Sequence, residues 1–155
     1  MSASQEVLRC VAARENAFIL SQSVFAGNEL SFDSIGKNVD WPLLWLRSNA
    51  CTSGASSSQA VAISGTVPLP VRFGGRHIGF IYDDNHARYC RLHGLLPSDL
   101  SSARSVQARS VFETAAAVLA RSGFRFTDTV RTWIYLDHLL EWYDEFNVVR
   151  TSFFE

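Results

Sequence analysis

An α+β fold, with a strand-rich first half ahead of a βαβα core and a mixed sheet, is the class that this 155-residue sequence predicts. Three observations lead there. Residues 1 to about 95 carry Val, Ile, Phe and Trp in short runs broken by Gly, Pro, Asn and Ser, which is the punctuation of strands and turns. After Gly94 the apolar residues change to helical spacing, with Val111, Phe112, Ala115, Val118 and Leu119 on one stripe. Beyond that stripe, residues 129–136 alternate in twos, Val130, Thr132, Ile134 and Leu136 against Arg131, Trp133 and Tyr135.

Taken in order, the first half predicts strands at 7–13, 17–21, 43–47, 60–66, 77–82 and 88–93. Residues 48–58, small and polar, read as a loop, and Gly74-Gly75 between two apolar runs reads as a hairpin turn. Pro97-Ser98-Asp99 leads into the first helix of the core. Gly123 closes that helix just past Arg121, where a left-handed residue and a cation near the dipole's negative end are both favoured. A strand over 129–136 follows, and Asp137 is placed to cap a second helix carrying Leu139, Trp142 or Tyr143, Phe146, Val149 or Arg150, and Phe153 at helical spacing. Under a right-handed crossover, strands 88–93 and 129–136 would lie parallel with the first helix across them. The division expected is a strand-rich region at 1–85 and a core domain at 86–155. Because Phe153-Phe154-Glu155 ends in an amphipathic run without a cap, that domain is expected to be incomplete at its C-terminal end.

Composition narrows the function classes. With 47% hydrophobic and 19% charged residues, a disordered chain is excluded. A net charge of −1 supplies no overall field for nucleic acid or an anionic membrane. Cys10, Cys51 and Cys90 are widely spaced without a CxxC pair, so neither a disulfide framework nor a zinc knuckle is written here, and a reduced, cytoplasmic setting is expected. Glu6, Arg9, Arg14 and Glu15 sit where a secretory signal would be apolar. Asp83-Asp84-Asn85-His86 fits no standard ligand spacing and reads as a hydrated turn rather than a metal site.

Several motifs fall in a familiar order. Gly94-Leu-Leu-Pro97 ends a strand, Gln107-Ala-Arg109 begins a helix, that helix ends in Gly, Val130 to Asp137 forms a strand motif, and Asn147 to Phe154 lies on the last helix. This pattern resembles the core of the RidA (YjgF, endoribonuclease L-PSP) superfamily. The strings R-T-W-x-Y-L-D and W-Y-D-E-F-N-x-V-R-T, with A-R-Y-C-R-L before them, are similar to its chorismatase-like branch, which carries an added N-terminal domain. Over residues 1–85 the likeness is thinner, resting on Trp41-Pro42, Gly65-Thr66 and Gly75–Phe80.

The resemblance implies a chorismate-mutase-like fold, homotrimeric or trimer-like packing of domains, and clefts between neighbours as sites. It implies a hydrolase acting on a small carboxylated substrate: chorismatase-like cleavage of an enolpyruvyl ether to pyruvate and a cyclic hydroxy acid, with enamine or imine deamination next. No cofactor, metal, nucleic acid or membrane is implied. The family's catalytic glutamate would fall beyond residue 155, so the alternative is a non-catalytic ligand-binding or assembly member lacking that acid. The likeness sets Asn147 at the border of the cleft and residues 87–92 on the strand lining it. By parity Tyr89, Arg91 and His93 share one face of that strand, taken as the substrate-binding one, and Arg88 with Cys90 the other, with Arg88 kept as a second candidate. RNA cleavage ranks third, because the basic residues Arg72, Arg76, Arg88, Arg91, Arg104 and Arg109 are interspersed with acids and no RNP or KH pattern accompanies them.

Overall fold

A computed structural model describes residues 3–27, 39–47 and 57–154 of the chain, in a mixed α+β arrangement of two compact units, Met1–Gly94 and Leu95–Glu155. Most of the loop expected at 48–58, and Cys51 within it, lies outside the described residues.

The first unit runs α1 (Ala3–Arg14), β1 (Ala17–Ala26), β2 (Leu43–Arg47), β3 (Ser57–Ser64), β4 (Leu69–Phe73), β5 (Arg76–Asp83) and β6 (Arg88–Leu92). These strands make two three-stranded sheets. In the first, β1 is central, parallel to β2 and antiparallel to β3, with a bulge between Ile19 and Ser21. In the second, β5 is central and antiparallel to both β4 and β6. Gly74 and Gly75, both at positive φ, make the β4–β5 turn as the sequence predicts, since two left-handed residues match the twist of the strands they join. Ile19, Leu20, Trp41 and Phe80 form the buried core, with Leu8, Ala12, Val61 and Ile63 packed against it.

One strand expectation is overturned at the start of the chain. Residues 7–13 are part of α1, not a strand, and the period explains why. Gln5, Leu8 and Ala12 fall on one helical face; Gln5 is fully buried, and Leu8 and Ala12 pack on the core, while Val7 and Val11 point to solvent. Two β-branched residues that suggested a strand are the exposed ones.

The second unit contains α2 (Arg104–Arg121), 3-10 turns at Phe126–Asp128 and Leu139–Glu141, and α3 (Tyr143–Phe154). α2 ends in a Schellman arrangement: Gly123, at positive φ, donates its N–H to the Ala120 carbonyl and Phe124 donates to Leu119. Ala108 and Phe112 of α2 pack against Phe146 and Val149 of α3 and Trp142 before it, and Phe112 stacks on Phe153 at 5.2 Å. The aromatic stripe of the last helix is thus a core stripe.

Two further expectations fail in this region. Residues 129–136 contribute no strand to either sheet, and β6 is paired antiparallel with β5, so the parallel βαβ crossover is not formed among the described residues. Arg131 lies over the Trp133 ring at 5.1 Å, and Val130, at 99% exposure, Trp133, Ile134 and Tyr135 are all exposed. Alternation specifies which way side chains point, but a strand also needs a neighbour's ladder. Asp137 does not cap α3 either. His138, in a left-handed conformation, begins a 3-10 turn, and the Asp137 carbonyl instead accepts the Trp142 indole N–H at 3.0 Å. No helix among the described residues is long and apolar enough to cross a membrane.

Candidate functional site

β6 is short, and its two faces meet different surroundings. Arg91 stands opposite Phe80 and Tyr89 opposite Tyr82 in the ladder with β5, so Tyr89 and Arg91 share the face that carries Phe80 into the core. His93, just past the strand, continues that face; its backbone N–H donates to the Ile78 carbonyl at 2.7 Å. Arg88 and Cys90 take the opposite face, as their parity requires.

Across from this face lies β1, where three polar residues interrupt an apolar run. Ser21, Gln22 and Ser23 are all buried. Ser21 and Ser23 point one way and Gln22 the other. The Arg91 Nε–H donates to Ser21 Oγ at 3.1 Å, and His93 Nε2 sits 3.0 Å from the Gln22 carbonyl and 3.4 Å from Ser23 Oγ. On the reverse side the Gln22 carboxamide is fully satisfied for its burial: its oxygen accepts the Trp41 indole N–H at 3.0 Å and its nitrogen donates to Ser58 Oγ at 2.9 Å. The Gln22 backbone N–H donates to Pro42. A polar seam therefore ties the two sheets together, with one guanidinium and one imidazole on its β6 side.

The hydrogen bonds fix the state of the imidazole. A carbonyl oxygen only accepts, so His93 Nε2 carries the proton and donates to Gln22, leaving Nδ1 as the ring's lone-pair atom. Ser23 Oγ, sharing that same N–H, can only receive from it. With Nε2 donating to Gln22, that nitrogen is not placed to take the Ser23 proton. Burial holds the His93 pKa below the ordinary histidine value; the bond to the Gln22 carbonyl opposes this, and the Arg91 charge adds to it. The balance favours the neutral ring.

The other expected site residues are distributed elsewhere. Tyr89 stacks on Tyr82 at 5.2 Å, and its hydroxyl bonds Asp84, which raises the phenol's pKa. Asp84 itself accepts the backbone N–H groups of Ala87 and His86 at 2.9 and 3.0 Å, which lower its pKa, and Asn85 takes a positive φ. The 83–86 segment is thus a side-chain-stabilised turn. Arg88 stands opposite Asp83 in the ladder. Asn147 belongs to α3 in the second unit, and its carboxamide oxygen is buried with no hydrogen-bond partner among the described residues. So the structure brings Arg91 and His93 together on β1 and sets Tyr89 at the hairpin end. Among the described residues no cluster of three or more His, Cys, Asp or Glu could hold a metal ion.

Sequence reasoning missed the β1 half of the seam. A signal was present: Ser-Gln-Ser set between Ile19-Leu20 and Val24-Phe25 is a polar break inside a strand otherwise too apolar for an edge. Such a break marks buried groups that need partners. Comparison of the chain with protein-family models, with curated proteins and with solved structures finds no match.

Proposed function

We propose that the first unit binds a compact carboxylated molecule beside β6, in the manner expected of a RidA-like protein, with Arg91 as the charge partner and His93 as a neutral orienting group. One observation carries the reading: Arg91 and His93 project from the same face of β6 and are both anchored on β1, one by Ser21 Oγ and the other by the Gln22 carbonyl. Anchoring reduces the side-chain freedom that carboxylate binding would otherwise have to remove, and Ser21 Oγ engages the Arg91 Nε–H as a neutral group.

A second reading, hydrolysis of an enolpyruvyl ether or of an enamine or imine, is favoured by the state of His93. Its fixed Nε2–H tautomer and depressed pKa leave Nδ1 a lone pair able to take a proton from water at neutral pH. The motif strings around 130–154 support the same chemistry.

Calorimetry of the full chain with pyruvate, 2-oxobutyrate and 3-hydroxybenzoate tests the first reading. Saturable binding of at least one is expected, weakened at least about tenfold in R91Q and unchanged in R121Q, whose side chain is in the other unit. A folded protein silent to all three, or an R91Q variant that binds as well as the parent, overturns it. Release of pyruvate from chorismate by the same preparation would establish the hydrolytic reading in addition.

A further inference from the structure

The outer face of the α2–α3 pair carries features that ligand binding in the first unit does not use. Arg104 pairs with Glu141 at 2.8 Å near one end of the two helices, and Phe112 stacks on Phe153 at 5.2 Å further along, so α2 and α3 run side by side in the same direction. On their outer side they leave a shallow, open depression of about 370 Å³ lined by Ser105, Val106, Arg109, Glu145, Val148 and Val149. Val106 is 54% and Val148 69% exposed, although each is carried by a helix whose inner face is well packed. Through Glu145 the depression continues into a second one at the start of α3, where Leu140 is 94% exposed. Large apolar side chains thus gather at one end of the helix pair.

The charges beside them decide what fits. Arg109 stands on the α2 wall and Glu145 on the α3 wall, and neither is in an ion pair among the described residues. Where a surface that pairs with itself about a two-fold axis carries charge, holding both signs lets each group meet its complement on the other copy. This depression has one of each, on opposite walls, next to two exposed valines. We propose that it is a self-association surface: two copies of this chain pack α2 and α3 about a two-fold axis, with the valines at the centre and each Arg109 facing the partner's Glu145. The depression is shallow and open, so the dimer is a reversible one rather than an obligate one.

Sedimentation equilibrium of the full chain from a few micromolar to several hundred micromolar, with circular dichroism to confirm folding, reads this out. A monomer–dimer equilibrium is expected, and V148D is expected to weaken it at least about tenfold. R109E and E145R should each weaken it through like-charge contacts, whereas the double variant R109E/E145R should recover it, since both members of every pair are exchanged. Mixing R109E with E145R should likewise give a heterodimer, because one chain then carries two carboxylates and the other two guanidinium groups. A chain monomeric throughout overturns the proposal. So does a dimer or trimer indifferent to V148D, or charge variants that neither exchange nor mix back to association.

Discussion

Gln22 illustrates what a polar residue requires inside a sheet. Its carboxamide is fully buried, and each end has a partner, Trp41 on the oxygen and Ser58 on the nitrogen. Leaving either end open would cost about 1–3 kcal/mol, so the residue fixes how β1 sits between its neighbours. His93 reads the same strand from the other side and gives a pH dependence. Its pKa is lowered in the folded chain, so between the folded value and the ordinary 6.5 the unfolded chain binds more protons, and stability rises with pH. That contribution is complete above about pH 6.5 and is lost as the pH falls through the folded value. His77, whose pKa burial also lowers, contributes in the same direction. Urea midpoints should therefore fall between about pH 7.5 and 5.5, and fall less in H93Q, whose amide can still donate to the Gln22 carbonyl. Parallel curves for parent and variant would refute the assignment. Parity alone put Tyr89, Arg91 and His93 on one face of a strand, and they share it. That Arg91 meets Ser21, seventy residues away in sequence, is a tertiary fact that no local pattern contains.

At the scale of elements, β5 depends on a residue that is absent in all but backbone. A Cβ on Gly79 would run into the Arg91 carbonyl oxygen and approach Leu92 to 3.0 Å. G79A should therefore push β6 away from β5 and cost about 2–4 kcal/mol, read as a lowered urea midpoint at unchanged slope; a loss under about 0.5 kcal/mol would mean the strands are not so close. Local signals located several elements well. The five residues of β2, the Gly74-Gly75 turn and the end of α2 at Gly123 all follow from apolar runs bounded by residues with special backbone freedom. They failed where two periods compete. Val7 and Val11 suit a strand by propensity, yet their spacing of four also suits one face of a helix, and burial of Leu8 and Ala12 decides for α1. Residues 129–136 failed differently: the alternation is present, but sheet formation is a property of two strands, and only one is described by the pattern.

For the molecule as a whole, the sequence divides a strand-rich region at 1–85 from a βαβα domain at 86–155, whereas the two compact units are Met1–Gly94, which holds both sheets and includes β6, and Leu95–Glu155, which holds the α2–α3 core. Composition could reveal such a division because short β-branched runs and long amphipathic ones differ in texture over tens of residues. It could not reveal the polar seam, which needs two sheets already packed. The functional proposal lives in that seam, and the self-association proposal lives in the other unit, so each stands or falls alone. Nitrogen-detected NMR of the Arg91 Nε–H and the His93 ring during a pyruvate titration addresses the central claim most directly. The free protein should show His93 as the Nε2–H tautomer near pH 7.5, and both side chains should shift together along one saturable curve. Resonances that stay fixed while the protein remains folded, through tens of millimolar ligand, would contradict the account.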